Sequence, residues 1–242
     1  MNGMILRLFF AAALALAWTA AQAQGYSPAA QRVLTQARQA AGGTAWNMLR
    51  GWHESGKAGG LAYERWFDPL RYGMRVETHE PAGLDVRGFN GSGDWRVTPA
   101  GAVTGVDVRG MTSAARTEAF FGAHGYFFPG RFDARGELVG VRKTEGRAYD
   151  VVMVKPWAGL PRELWFDRRT HLLCQMVDRN GPRPVAVQIG DYRKVGPVKV
   201  AFRTALEGVG AGAGDLADRQ VESVVFAPAD RAIFSLPRPG SD

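Results

Sequence analysis

Two His-Glu pairs, His53-Glu54 and His79-Glu80, are the first residues in this sequence with the makings of a reaction centre. On a helix, with a second histidine four residues on, such a pair would bind zinc and activate a water. Neither pair has that second histidine, and both fall in stretches that read as strand or turn. The four histidines (His53, His79, His124 and His171) share no metal-ligand spacing, so they read as surface or strand side chains. No G-x-S-x-G elbow occurs. The single cysteine, Cys174, sits in Leu172-Leu-Cys-Gln-Met176 and reads as a small buried hydrophobe in a strand rather than a nucleophile. Gly208-Val-Gly-Ala-Gly-Ala-Gly214 is rich enough in glycine for a phosphate loop, but no helix and no Lys-Ser/Thr pair follows it, and a hairpin tip fits better. Asp94, Asp150, Asp167 and Asp191 stand at strand ends, where turns favour them. The expectation is a chain without catalysis, cofactor or metal. A hydrolase using scattered acids is the competing enzymatic hypothesis.

The charges point no more strongly to a polymer partner. Lys and Arg number 30 against 23 Asp and Glu, a net +7 over 242 residues. Arg65, Arg71, Arg75, Arg87, Arg96, Arg109, Arg116 and Arg142 are spread several positions apart, many alternating with apolar residues. That pattern reads as a solvated sheet face and gives no nucleic-acid patch. Attraction to anionic lipid surfaces is the second reading, behind simple solubility. The 46% hydrophobic content is ordinary for a globular chain, and one cysteine excludes an intrachain disulfide. Aromatic residues are what stand out. Trp46, Trp52, Trp66, Trp95, Trp157 and Trp165 join Phe67, Phe89, Phe120, Phe121, Phe127, Phe128, Phe166 and Phe202, and both Arg65-Trp-Phe and Leu164-Trp-Phe carry bulk on adjacent positions. A core with a helix across it accounts for most of them. The sharper reading is a curved sheet whose concave face forms an apolar cavity.

The elements that would position these residues follow from period and punctuation. Arg7, the apolar run Leu8 to Trp18 and Ala21-Gln-Ala23 form a secretory signal over residues 1–23, with a mature start at Gln24. The apolar run is too short to span a membrane. Ser27-Pro28 opens a helix with a stripe at Ala30, Val33, Leu34, Ala37 and Ala41, and Gly42-Gly43 stops it. Strands are expected over Asn47 to Lys57, Gly60 to Phe67, Tyr72 to Thr78, Leu84 to Phe89 and Asp94 to Thr98. A helix follows over Thr112 to Ala123, with Thr112 or Ser113 as N-cap. Strands resume over Glu137 to Thr144, Arg147 to Lys155, Arg162 to Asp167, His171 to Asp178, Pro184 to Tyr192, Val198 to Leu206 and Gln220 to Val225. Short Gly/Pro turns between successive strands indicate an antiparallel meander.

The order of these motifs resembles the periplasmic lipoprotein-carrier superfamily (LolA/LolB-like, outer-membrane lipoprotein sorting proteins). The likeness rests on Trp46 to Gly51, Glu64-Arg-Trp-Phe-Asp-Pro69, Arg71-Tyr-Gly-Met-Arg75, Gly88-Phe-Asn-Gly91, Asp94-Trp95, Pro99-Ala-Gly101 and Asp191-Tyr-Arg-Lys-Val-Gly-Pro-Val198. Phe234 near Pro237 resembles the end of that family. Pro161-Arg-Glu-Leu-Trp-Phe-Asp167 with Thr170 and Leu173, and Tyr126-Phe-Phe-Pro129, resemble the LolA-like regions N-terminal to bacterial retropepsin-type proteases. Asp68 stands where the carrier proper has an arginine, and no Asp-Thr/Ser-Gly protease signature occurs.

The resemblance implies an α+β, mostly β fold: a half-open antiparallel barrel of about 11 strands with two or three short helices plugging the concave face. Residues 24–242 would form one such domain. The expected function is non-catalytic binding of a lipid, a lipoprotein acyl chain or another hydrophobic ligand by a monomer in the periplasm. A membrane-associated protein is a further candidate partner, nucleic acid is not, and the mature chain would have no transmembrane segment. Expected ligand contacts on the sheet are Trp66, Met74, Val76, Phe89, Trp95, Leu164, Phe166, Met176 and Phe202. Phe120, Phe121 and Phe127 would contribute from the helical plug. The alternative is an accessory module that docks a partner or peptide on the same face.

Overall fold

The Ser27 hydroxyl accepts from the Ala30 amide (3.3 Å) and Pro28 presets the first turn, so the chain enters helix α1 at once (Pro28–Ala40). This computed structural model describes residues 25–104, 111–207 and 217–236. The expected export signal (residues 1–23), Arg109 and the glycine-rich run 208–214 lie outside the described residues. Ala30, Val33, Leu34 and Ala37 of α1 are buried, the stripe that the sequence spacing indicated.

A correction follows directly. The segment from Asn47 is not strand: Gly43–Met48 forms a 3-10 turn, and Met48 is exposed. The buried Trp46 indole donates to the Ala41 carbonyl (3.1 Å), which folds the chain back against the end of α1 before extended structure begins. Asn47 and Met48 are both exposed at the end of this turn, and extended pairing begins only at Trp52.

The first run of strands is β1 (Trp52–Ala58), β2 (Leu61–Phe67), β3 (Met74–Glu80), β4 (Gly83–Phe89), β5 (Asp94–Val97) and β6 (Val103–Thr104). Helix α2 (Met111–Gly122) interrupts it. The second run is β7 (Ala134–Thr144), β8 (Arg147–Pro156), β9 (Arg162–Asp167), β10 (Leu173–Asp178), β11 (Val185–Val195), β12 (Val198–Glu207) and β13 (Arg219–Val225). All thirteen form one antiparallel sheet in the order β6-β5-β4-β3-β2-β1-β13-β12-β11-β10-β9-β8-β7. This is the antiparallel meander that the short turns indicated and the half-open architecture that the resemblance implied, with thirteen strands where about 11 were expected. The two-residue β6 carries no period for a sequence to reveal. Residues 171 and 72 begin no strand either, because His171 and Tyr72 have left-handed backbones (φ 59° and 66°).

Each run is a simple meander, and β1 pairs with β13 to join them. The outer edges, β6 and β7, do not pair, so the sheet curves without closing. Helix α2 lies between β6 and β7 in sequence and packs on β4, β5 and β8, while α1 packs on β7 and β8. The helices therefore bridge the opening from within. Thr112 is not an N-cap: its hydroxyl donates to the buried Asp94 carboxylate (2.6 Å) and ties the first turn of α2 to β5. At the other end of α2, a Cβ on Gly122 would stand 2.4 Å from the Phe67 ring, so only glycine lets the helix come this close to β2.

Candidate functional site

Alternation along β1 and β2 sends Trp52, Glu54, Tyr63, Arg65 and Phe67 toward the helices. Two of these are charged, and they meet. Glu54 is only 1% exposed; it accepts from the Tyr63 hydroxyl (2.6 Å), from Arg65 Nη2 (2.8 Å) and from the Trp52 indole (3.3 Å). Arg219 of β13 is buried beside this group. Burial alone would push the Glu54 carboxyl up, but the guanidinium charges of Arg65 and Arg219 and the bonds from Arg65 and Tyr63 outweigh it and hold it below the usual carboxylate range. A second pair, Arg87 with Glu118 of α2 (3.1 Å), ties helix to sheet. Burial raises the Glu118 carboxyl, and Arg87, Arg162 and Arg65 overcome that to lower it. Arg65 and Arg87 are therefore not on a solvated face, as dispersed arginines had suggested. They serve carboxylates turned inward.

His124 is neither a surface nor a strand residue. It sits at φ 54° in the turn between α2 and the short 3-10 segment Gly125–Phe127. Its ring lies 4.8 Å from Trp46 and 5.2 Å from Trp52, and Nδ1 donates to the Gly122 carbonyl (3.2 Å). Burial and the Arg65 charge lower its pKa to about 4, so near neutral pH it is an uncharged plate in an aromatic stack. Glu54, Arg65, Arg219, His124, Phe121 and Met176 line a small pocket of about 70 Å³. That is room for a couple of waters, not for a chain of methylenes.

The residues expected to touch ligand divide into two sets. Met74, Val76, Phe89, Phe120, Phe121, Phe127, Leu164, Phe166, Met176 and Phe202 belong to one buried cluster between sheet and helices, and of these Phe121 and Met176 also line that small pocket. Phe120 and Phe121 pack edge-on at 5.1 Å, and Arg116 of α2 lies over the Phe89 ring at 5.3 Å. Trp66 and Trp95 are elsewhere. Trp66 alternates with the inward Arg65 and Phe67, so it points to the outer face and stacks on His53 at 4.6 Å. Trp95 lies flat across Gly88, where a Cβ would come within 2.1 Å of the indole. Its Nε1 donates to the Phe234 carbonyl (2.9 Å). Sequence alternation gives two faces without saying which is concave, and Arg65-Trp-Phe is bulky on both. Cys174 is half-buried in β10, and burial raises its thiol above the usual range.

A wide cleft lies where β7 begins and β8 ends. It measures about 550 Å³ and is lined by Pro129, Asp133, Ala134, Arg135, Lys155, Pro156, Trp157 and Ala158, with Gly25 and Ser113 of the flanking segments. Trp157 is 68% exposed on its wall, although its backbone amide is anchored to the Asp133 carbonyl (2.8 Å). None of the expected contact residues lines this cleft. The signal that would have found it is a tryptophan just past the end of a strand, in Pro156-Trp-Ala-Gly159, where no buried face calls for an indole. Among the described residues no cluster of three or more metal-ligating side chains occurs, and no helix is long and apolar enough to cross a membrane.

No protein-family profile and no curated protein matches the chain. Solved structures do. A LolA superfamily protein from Nitrosomonas europaea is 13% identical, with a TM-score of 0.51 over 86% of this chain and 97% of that one. A DUF1329 family protein from Desulfovibrio piger is 12% identical, with a TM-score of 0.52 over 85% and 97% of the two chains. At such identities the likeness concerns the backbone, and both matches span nearly the whole of the other protein. The thirteen-stranded open sheet, curved around two helices and joined through its first and last strands, is thus a fold that this chain shares with that LolA superfamily protein.

Proposed function

We propose that this protein is a non-catalytic periplasmic binding protein that holds a lipid, a lipoprotein acyl chain or another hydrophobic ligand between its curved sheet and helical cover. Ligand enters at the cleft beside β7 and β8. The observation that carries this reading is that cleft: about 550 Å³, within the size range of small-molecule sites, with an exposed tryptophan and two prolines on its walls. The aromatic cluster beneath the helices supports it, because Phe120, Phe121 and Phe127 offer apolar surface between sheet and helices. The fold shared with a LolA superfamily protein favours a carrier over an enzyme. Export through residues 1–23 and a monomeric state belong to the same proposal.

The docking-module alternative draws on one observation, the small inner pocket, which leaves little ready-made room for a chain in this conformation. Mass spectrometry of solvent extracts from the protein purified out of the periplasm separates the two. Stoichiometric co-purifying lipid, and displacement of bound N-phenylnaphthylamine by alkyl-chain ligands, are expected. A ligand-free protein that displaces nothing yet captures a peptide would sink the carrier reading.

A further inference from the structure

Three arginines meet where the end of α1, the 3-10 turn after it and the turn before β7 come together. Arg38 in the last turn of α1 and Arg131 both lie over the ring of the buried Phe128, at 5.0 Å and 4.3 Å. The stacking holds two planar guanidinium groups in place at the surface of the core. Arg50, exposed just after the 3-10 turn, is the third member. Burial first, then the charges of Arg38 and Arg50, hold the Arg131 guanidinium below its ordinary pKa, and Asp68 opposes them. That carboxylate is already engaged, accepting from the Leu70 amide (2.8 Å) and pairing with Arg71 (3.6 Å). Among the described residues none of the three arginines forms an ion pair with a carboxylate. Each guanidinium carries five N–H groups. Arg38 donates one to the Asn47 side-chain oxygen (2.6 Å) and Arg131 one to the Pro69 carbonyl (2.8 Å). A cation in a last helical turn suits the helix dipole, and arginine stems cover Phe128. Neither reason calls for three like charges within reach of one another, two of them half-buried where water screens repulsion least.

We propose that Arg38, Arg50 and Arg131 form a binding site for a terminal phosphate, carried by a small ligand or by a membrane lipid. Such a group has three free oxygens and close to two negative charges at neutral pH. It matches three guanidinium forks, each able to give two N–H bonds to oxygen. A carboxylate, with two oxygens and one charge, would satisfy fewer of these donors and offset less of the repulsion. The site draws nothing from the cleft beside β7 and β8, so it stands or falls apart from the hydrophobic-ligand reading.

Two probes test this on the purified protein at matched ionic strength. Glycerol 3-phosphate and acetate are titrated by calorimetry, and vesicles of phosphatidic acid in phosphatidylcholine are assayed by co-sedimentation. Glycerol 3-phosphate is expected to bind about tenfold more tightly than acetate, and less tightly as salt is raised. Arg50→Gln should weaken it about tenfold with the urea midpoint unchanged, because Arg50 is exposed and makes no hydrogen bond among the described residues. Arg32→Gln removes an equal charge from the exposed side of α1 and should leave binding as it was. Vesicles that bind and are released by glycerol 3-phosphate assign the phosphate to a lipid. Binding of glycerol 3-phosphate without vesicles assigns it to a small ligand. Equal affinity for acetate, or a loss no greater in Arg50→Gln than in Arg32→Gln, overturns the proposal. So does vesicle binding that glycerol 3-phosphate does not compete for, which would be diffuse charge attraction, and so does failure of both probes to bind.

Discussion

Two spaces among the described residues, the inner pocket against β1 and β2 and the cleft at β7 and β8, are built on different terms. The inner pocket is small, about 70 Å³, and partly walled by charge: Glu54, Arg65 and Arg219 line it together with His124 and Phe121. The cleft at the end of β7 and β8 is far larger, about 550 Å³, and its cations are exposed beside an exposed indole. A buried ion pair is costly to dehydrate and unforgiving once made, because removing one member strands the other in a medium of low dielectric. It fixes the relation of β1, β2 and β13 at the seam where the two meanders join. The exposed cations cost little to keep, since water reaches them. The inner pocket therefore reads as a structural lock and the cleft as the place where a ligand can be exchanged.

The largest effect should come from breaking the lock. Glu54→Gln keeps the shape of the side chain and leaves the Arg65 and Arg219 charges buried without their carboxylate. A loss of about 3–5 kcal/mol in unfolding free energy is expected, read from urea denaturation at neutral pH. A loss below about 1 kcal/mol, in the range of exposed pairs, would show that the seam is not held this way.

Acid should probe the same region from a second side. The pKa of His124 is lowered in the fold from 6.5 to about 4, so the unfolded chain binds a proton that the folded chain refuses. Stability is then complete above about pH 6.5, falls with decreasing pH through that interval, and stops falling on this account below about pH 4. Glu54 behaves differently. Its folded pKa lies below the usual 4.5, so its contribution is intact above that value and is lost only as pH falls beneath it. Comparing denaturation midpoints at pH 7 and pH 5 thus isolates the histidine. His124→Phe, which keeps a ring between Trp46 and Trp52, should flatten the difference, and an unchanged pH 7 to pH 5 drop in that variant would remove His124 as its cause.

These two residues also mark where sequence stops being informative. Helix α1, the meander and most strand limits were legible because local signals carry them: Ser27-Pro28, the apolar stripe from Ala30 to Ala41, and glycine turns at regular spacing. Ten of the twelve expected contacts do lie together in the interior, since large apolar residues on strands go to the core whatever the function. Trp66 and Trp95 went to the outer face because period two gives two faces and no label for either. Arg65 looked like a surface residue because Glu54 is eleven positions away, and Arg219, which also faces Glu54, is at the far end of the chain. Non-local pairing is what converts an alternating arginine into a buried one, and no local pattern records it. The cleft was missed for the opposite reason: Trp157 lies in a turn, outside any periodic segment, where the search for faces does not look.

Trp157 gives the smallest effect on stability and the sharpest contrast between the two regions. The indole is mostly exposed and packs against little, so Trp157→Ala should change the unfolding free energy by no more than about 0.5 kcal/mol, as other surface substitutions do. The amide bond from residue 157 to the Asp133 carbonyl involves the backbone and survives the change. Binding should respond in the reverse sense, because the indole is the largest apolar surface the cleft offers to an alkyl chain. Loss of its contact area is expected to weaken N-phenylnaphthylamine and dodecyl maltoside by about tenfold, a typical cost of truncating an aromatic anchor. A variant as stable as the parent but unable to hold these ligands would place exchange at the rim. One that binds as before would move the ligand inward, to the aromatic cluster under α2, and would require the lock at Glu54 to open for every cycle of binding.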